Sequence, residues 1–385
     1  MNIIETSISE KTCDFSNIKQ IKKEKLNESQ TNCTIKEKQK DSIKKKDRVD
    51  ELLSIDEVNK IIKKYNPQFG ENFELLTPIK SGSAGAVHKA KEKLTKNQKL
   101  VACKILNDVI KKKNEKKIIR NHREIMIHRK LHFKNIPEVY GCYPLGPENS
   151  CIVMEYNKFG DLDNFKKNVI KRSFLSETLL CYISGHIIES LNYLNKMKII
   201  HMDIKLQNIL VDDLLNIKLT DYSVSINYEN INNYINLPFL GTCYSMSPEV
   251  LEKRQIDIKD ASKIDIYSFG VLIYLLDFNN YPYELDSVNP KNYSGILKNI
   301  KEKNLVFPKD TGHSETFKKF LSKCLEKDIK NRYSIYQIMN DPWIKGYQLI
   351  LNQKENYYNA GKFMIDLMVD GFKNFNDYIK SQEDF

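Results

Sequence analysis

The run 201-HMDIKLQN-208 decides how this chain is read. It sets His201, Asp203, Lys205 and Asn208 close together, and Asp221 follows thirteen residues after Asn208. An aspartate can take the proton of an attacking hydroxyl. A lysine can accompany a moving phosphate. The oxygens of Asn208 and Asp221 suit a hard cation such as Mg²⁺. Phosphoryl transfer from a nucleotide needs all of these parts. The reading therefore turns on whether the flanking sequence builds a nucleotide pocket.

The chain has 385 residues, 41% of them hydrophobic, enough for one large domain or two smaller ones. Its longest apolar stretch, Phe269 to Leu276, falls well short of the roughly 20 residues a membrane span requires. No extended apolar region precedes the first charges, which reads as no secretory leader. Asn2 excludes the glycine that myristoylation uses, and the QEDF end has no prenylation cysteine. The 8 cysteines form no CxxC pairs, so reduced thiols and a cytoplasmic or nuclear location are expected. Net charge is +11, and residues 89–134 hold 16 Lys/Arg against 4 Asp/Glu. That block reads as a solvated lysine-rich face or as a docking patch for an acidic partner. No aromatic residue interrupts 111-KKKNEKKIIR-120, so specific nucleic-acid binding is not expected.

Residues 1–50 are polar and poor in large apolar groups, and they read as a disordered extension. Residues 51–72 read as a short helix and linker. Ser54 and Glu57 form a capping-box pattern, Val58, Ile61, Ile62 and Tyr65 follow at helical spacing, and Asn66-Pro67 is the expected stop. Between 73 and 156 the pattern is mainly strand: Phe73 to Ser81, Ala86 to Leu94, Leu100 to Leu106 and Ser150 to Tyr156. One helix interrupts these strands. Ile118, Ile119, His122, Ile125 and Met126 mark its apolar face, with Glu124 beside it. From 157 to 345 helices dominate. Ser176 is placed to cap one whose stripe is Leu180, Ile183, Ile187, Leu191 and Leu194, and Ile264 to Leu276 is apolar nearly all round. Strands followed by helices give an α+β, two-lobed chain. Beyond 345, Met364, Met368, Phe372, Phe375 and Ile379 recur at helical spacing. They predict a helical extension over 346–385, packed on its own lobe or on a partner or second copy.

Gly82-Ser83-Ala84-Gly85-Ala86-Val87 lies between two expected strands, where glycines let backbone approach phosphates. No GK[ST] follows, so it is not a Walker loop. Lys104 ends the apolar strand VACK, from which it can reach phosphates, and Glu124 gains meaning as its carboxylate partner. In this order the motifs resemble a eukaryotic protein kinase of the Ser/Thr group: Gly82-x-x-Gly85-x-Val87, VACK, Glu124, HMDIKLQN, Asp221-Tyr222-Ser223, Ser247-Pro248-Glu249, Asp265 to Gly270, and Arg332. The resemblance covers residues 73–345. It implies a small, mainly antiparallel sheet lobe over 73–156 and a larger helical lobe over 157–345. It also implies ATP and Mg²⁺ as cofactors and protein substrates bearing Ser or Thr.

The resemblance further implies roles for individual residues. Lys104, fixed by Glu124, would bind the α/β phosphates beside Gly82, Ser83 and Gly85. Asp203 would orient the acceptor hydroxyl and Lys205 would steady the transferred phosphate. Asn208 and Asp221 would hold the metal. Ile79, Val87, Ala102 and Leu210 would sandwich the base, with Met154 at the gatekeeper position. The backbone of Glu155, Tyr156 and Asn157 would bond adenine, and Asp161 would meet the ribose. Glu249 would pair with Arg332.

Several positions depart from the family pattern. Lys80 replaces the first loop glycine, and its side chain is expected to face solvent. Met202 replaces the arginine that pairs with a phosphorylated activation segment. Tyr222-Ser223 replaces Phe-Gly, which puts a hydroxyl in need of a partner. His128 stands where an apolar residue is usual and is expected to be a hydrogen-bonded core or rim histidine. Gln207 removes a carboxylate that favours basic substrates. An active Ser/Thr kinase is the expected function. The competing readings are a catalytically weak scaffold that binds ATP and partner proteins, and a kinase-fold enzyme acting on a small molecule.

Overall fold

The computed structural model describes residues 59–60, 62–64, 66–82, 85–94, 98–107, 115–145, 149–170, 175–309, 311–355, 360–368 and 373–383. The expectations for residues 1–50, Ser54, Val58, Ile61, Tyr65, Ser83 and Phe372 fall outside these. So does most of the lysine run 111–117.

Asn66-Pro67 ends the helical stretch over 62–64, as expected, and also opens a second helix, α1 (Pro67–Asn72). The Asn66 side chain accepts the Phe69 amide, and Pro67 fits the first turn, where no N–H is needed. Phe69 is fully buried and packs its ring against Phe73 and Tyr143. Five strands follow in an antiparallel sheet of order β1-β2-β3-β5-β4. They are β1 (Phe73–Gly82), β2 (Gly85–Glu92), β3 (Leu100–Asn107), β4 (Val139–Pro144) and β5 (Asn149–Glu155). The edge strand β4 is absent from the sequence expectation, because Gly141 and Pro144 break its pattern.

The period-2 alternation of β3 divides the sheet lobe. Val101, Cys103 and Ile105 join the buried cluster under α1, whereas Ala102 and Leu106 join Ile152, Met154 and Val87 on the opposite face. Lys104 belongs to that second face. The helix α2 (Glu115–His128) packs there, but rotated from its expected face: Asn121, Glu124, Ile127 and His128 are buried, whereas His122 and Met126 are exposed.

The helical lobe is built on α3 (Glu177–Lys196) and α4 (Lys263–Phe278). Ser176 caps α3 by accepting the Leu179 amide, and every residue of the expected stripe is buried. Short strand pairs bring the connecting loops to one end of this lobe: β6 (Ile199–Ile200) with β9 (Ile226–Asn227), and β7 (Ile209–Val211) with β8 (Ile217–Leu219). A third pair joins β10 (Tyr234–Asn236) to β11 (Gln255–Asp257). The longer helices that follow are α5 (Tyr293–Glu302), α6 (Glu315–Cys324), α7 (Ile335–Asn340), α8 (Pro342–Lys354), α9 (Ala360–Met368) and α10 (Lys373–Glu383). Glu249 and Arg332 form the expected pair. Both side chains are fully buried, with Nη1–Oε1 2.7 Å and Nη2–Oε2 3.1 Å. Arg332 also donates to the carbonyls of Lys263 and Glu326, which satisfies a charge that burial alone would make costly.

Beyond residue 345 the chain packs on its own helical lobe. Tyr347, Phe363, Met364, Leu367, Phe375 and Ile379 are buried in the main core. Lys354 donates to the Tyr182 hydroxyl (2.7 Å) and to Asn216 (2.8 Å). A Cβ at Gly346 would lie 2.7 Å from the Phe375 ring, so the missing side chain lets α10 settle on α8. Burying each Phe, Leu or Met contributes roughly 1.5–3 kcal/mol, a large part of the 5–15 kcal/mol typical of a whole domain. Phe375→Ala is expected to cost about 3–5 kcal/mol in chemical denaturation. A loss of only a few tenths would show that the extension is not part of this core.

His186 lies inside α3 with Nδ1–H donating to the Tyr182 carbonyl (2.9 Å) and its ring against Tyr347. Burial pushes its pKa down from 6.5 to about 3. An unfolded chain takes up this proton near pH 6.5, whereas the folded chain resists until about 3. The stability tied to this group is therefore complete above about pH 6.5 and is lost as pH falls toward 3. His186→Phe is expected to narrow the drop in Tm on acidification across that window. A drop as wide as the parent's would contradict this.

Candidate active site

Three parts of the chain meet at Lys104. Its Nζ pairs with Glu124 of α2 and lies 3.2 Å from Asp221 Oδ1, after β8. Burial works against the Lys104 charge, but the Asp221 and Glu124 carboxylates outweigh it and raise the pKa. The reciprocal holds at Asp221. Burial opposes its ionisation, yet Lys104 holds the carboxyl well below the usual range. Asp221 therefore stays an anion, with its side chain 28% exposed.

Hydrogen bonds continue from the segment of this triad into the 201–208 run. The Thr220 amide donates to the Asn208 carbonyl (2.9 Å), and Asn208 Nδ2 donates to both the backbone carbonyl (2.8 Å) and Oδ2 (3.0 Å) of Asp203. Asp203 is nearly buried and accepts from four donors. Oδ1 takes the Thr242 amide (2.9 Å) and hydroxyl (2.8 Å), and Oδ2 takes Asn208 and Lys205 Nζ (2.6 Å). Lys205 also donates to the Thr242 hydroxyl (3.1 Å). Gly241 adopts φ +104°, and a Cβ there would lie 2.4 Å from the Met202 carbonyl, so glycine is what lets Thr242 come this close.

The loop is held from below by Asp265 on α4. Its carboxylate accepts the backbone amides of His201 (2.6 Å) and Met202 (2.9 Å). Met202 and Asp221 both have left-handed backbone, φ 70° and 69°, unusual for residues with side chains. The Asp265 bonds keep Met202 in that conformation. His201 donates from Nε2 to the Thr220 carbonyl (3.0 Å) and accepts the Asp203 amide at Nδ1 (3.3 Å). Its ring and that of His128 flank Tyr222 at 5.2 and 5.0 Å, linking α2 to the 201–208 loop. The Tyr222 hydroxyl has the partner its burial demands, the Leu219 carbonyl at 2.9 Å. His128 is a core histidine that donates to the Pro137 carbonyl (3.0 Å).

The other residues named from the sequence line the junction of sheet and helical lobe. Val87, Ala102, Met154 and Tyr156 share one cluster. Glu155 ends β5, its carboxylate clamped by Lys218 at 2.6 and 2.8 Å, and its carbonyl accepts Asn157 Nδ2 (3.3 Å). Asp161 forms a backbone bridge to Leu210. Gly82 closes β1 opposite Gly85, whereas Ile79 is largely exposed.

Lys80 is exposed, as expected, but its ammonium is also bonded across the junction. Its Nζ reaches across to Asp161 Oδ2 (3.1 Å) and to the Gln207 carbonyl (2.9 Å). Sequence reasoning also did not assign the tethering by Asp265, the Thr242 contacts to Asp203 or the Lys218–Glu155 clamp. Asp265 stood in a quoted motif, but only the fold shows which amides it holds.

Comparison with known proteins agrees with this geometry. A family model described as the protein kinase domain matches residues 73–344. Over 308 residues the chain is 30% identical to the MAP kinase kinase MKK1/SSP32 of Saccharomyces cerevisiae, covering 76% of this chain and 56% of that protein. It is 30% identical to calcium-dependent protein kinase 5 of Plasmodium berghei, covering 78% of this chain and 49% of the relative. It is also 30% identical to the Aurora kinase of Dictyostelium discoideum, covering 71% and 66%. The chain thus spans less than two thirds of each of these relatives. With a matched segment that takes in both the Lys104 triad and the Asp203 loop, the chain belongs to the protein kinase family.

Proposed function

We propose that this protein is a Ser/Thr kinase that transfers the γ-phosphate of Mg-ATP to Ser and Thr hydroxyls of protein substrates. The kinase domain is assigned to residues 73–345, with 346–385 as an extension of the helical lobe. The observation that carries the reading is the chain of contacts from Glu124 through Lys104 to Asp221, and from the adjoining Thr220 amide through Asn208 and Asp203 to Lys205.

The donor chemistry fits the cofactor. Asp221 is an anion partly open to solvent, and Asn208 spends its amide protons on Asp203, which leaves Oδ1 as an oxygen donor. Among the described residues no group of three or more His, Cys, Asp or Glu is placed to cage a metal. Two oxygen ligands suit Mg²⁺, which takes its other ligands from phosphates and water. Bound Mg-ATP would supply the phosphoryl group and the charge neutralisation for its transfer. Lys104 would take the α/β phosphates, steadied by Glu124. Val87, Ala102, Met154 and Leu210 would enclose the base next to the 155–157 backbone, and Asp161 would meet the ribose.

Asp203 would orient the acceptor hydroxyl and receive its proton. All its lone pairs are engaged, so a hydroxyl needs one donor to leave. Lys205 is suited to do so, because its ammonium can follow the phosphate and vacate Oδ2. The Lys205–Thr242 contact supports a Ser/Thr acceptor. Gln207 bonds Asp163, which also pairs with Lys167 at 2.8 Å, and this fits weak selection for basic peptides. Among the described residues no helix is long and apolar enough to cross a membrane. Free thiols at the described cysteines fit a cytoplasmic or nuclear protein.

Asp203→Asn is expected to lower the phosphorylation rate on a peptide array by on the order of 10²–10⁴ while ATP still binds. Lys104→Met is expected to cripple transfer as well. Wild-type turnover in either variant would reject these assignments.

Among residues 224–246, the segment that precedes Ser247-Pro248-Glu249, Ser225 is buried and donates to the His201 carbonyl (3.0 Å), and Tyr228 is buried beside Asn195. Tyr234 is exposed, but Met202 offers no charge to a phosphate. Phosphatase treatment is expected to leave most activity intact. Complete loss would contradict this account of the segment.

A further inference from the structure

Lys80 stands on β1 beside the glycine loop, paired across the hairpin with Val87. From there its ammonium spans the gap between the lobes and bonds two groups far apart in sequence. One is Asp161 Oδ2 (3.1 Å), at the start of the helical lobe, and the other is the Gln207 carbonyl (2.9 Å), between Lys205 and Asn208. Asp161 is buried, and its Oδ1 caps the helical turn Leu162–Phe165 by accepting the Asn164 amide. The acceptor is therefore fixed in place. A β-strand, a buried carboxylate and the catalytic loop are thus tied by one cation.

We propose that Lys80 is a latch between the lobes that retards nucleotide exchange. The inference rests on the nucleotide reading of the cleft given above. The bonds lie across the mouth of that cleft, between the loop assigned to the phosphates and the carboxylate assigned to the ribose. Nucleotide can leave only as the sheet lobe and helical lobe separate there, and separation breaks both Lys80 bonds. Lys80 is a positioning residue, since it touches none of the reacting atoms. Its side chain is 43% exposed, so water weakens the pair and the effect is modest. Salt weakens it further.

The test is stopped-flow release of Mg-ADP carrying its fluorophore on the terminal phosphate, which leaves the ribose and Asp161 undisturbed. Lys80→Ala is expected to release nucleotide up to about five-fold faster than wild type, the scale of a partly exposed ion pair. Lys80→Arg, which keeps the charge, is expected to restore slow release. Release from wild type is expected to quicken with added salt, and release from Lys80→Ala to respond much less. An unchanged Tm in Lys80→Ala separates latching from loss of fold. Equal or slower release from Lys80→Ala overturns the latch, since slower release would mean that Lys80 competes with the ribose for Asp161. Failure of wild type to bind Mg-ADP at all overturns the nucleotide reading, and the latch with it.

Discussion

The ion triad at Lys104 is the constraint on which the rest of the site depends. Lysine in an apolar strand is costly unless its charge is paired. Here β3 delivers it to the cleft face of the sheet, α2 answers with Glu124, and the segment after β8 answers with Asp221. Lys104 and Asp221 each stabilise the ionised form of the other, and Glu124 adds to the hold on Lys104. The same bonds that satisfy a buried cation therefore fix the sheet lobe, α2 and the segment after β8 relative to one another. Removing Lys104 would take the shared cation from both carboxylates at once.

A second constraint holds the other half of the machinery. Asp265, rooted in the apolar helix α4, binds the amides of His201 and Met202, and burial raises its pKa. Strain in the left-handed backbone at Met202 is thus opposed by a fixed acceptor on the most buried helix of the lobe. Asp203 is left pointing at Thr242, Lys205 and Asn208. Met202, where the family pattern implies an arginine, leaves this tether intact, because the tether acts on the backbone.

Much of this was legible in the sequence because it rests on short-range pattern. The period-2 run of VACK placed Lys104 on a strand, and the stripe from Leu180 to Leu194 gave the long helix. The capping signal at Ser176 also marked a helix start that the fold retains. What the sequence hid was decided by long-range partners. Residues on α2 such as Met126 and His122 look suited to an inward face, but the helix turns Glu124 and His128 inward because their hydrogen-bond partners lie there. Lys80 reads as a solvated lysine, and nothing local reveals that Asp161 and the Gln207 carbonyl wait across the cleft. Asn66-Pro67 reads as a stop, which it is, but it also starts α1, and the burial of Phe69 that holds this second helix is not visible locally. The apolar repeat beyond 345 did not specify its own acceptor surface, which Gly346 and Tyr182 help provide.

The most direct test of the account is a crystal structure with Mg²⁺ and a non-hydrolysable ATP analogue. The account predicts a cation bound by Asn208 Oδ1 and Asp221, the α/β phosphates on Lys104 Nζ, and the terminal phosphate facing Asp203. Phosphates bound away from Lys104, or a metal held by other residues, would contradict it.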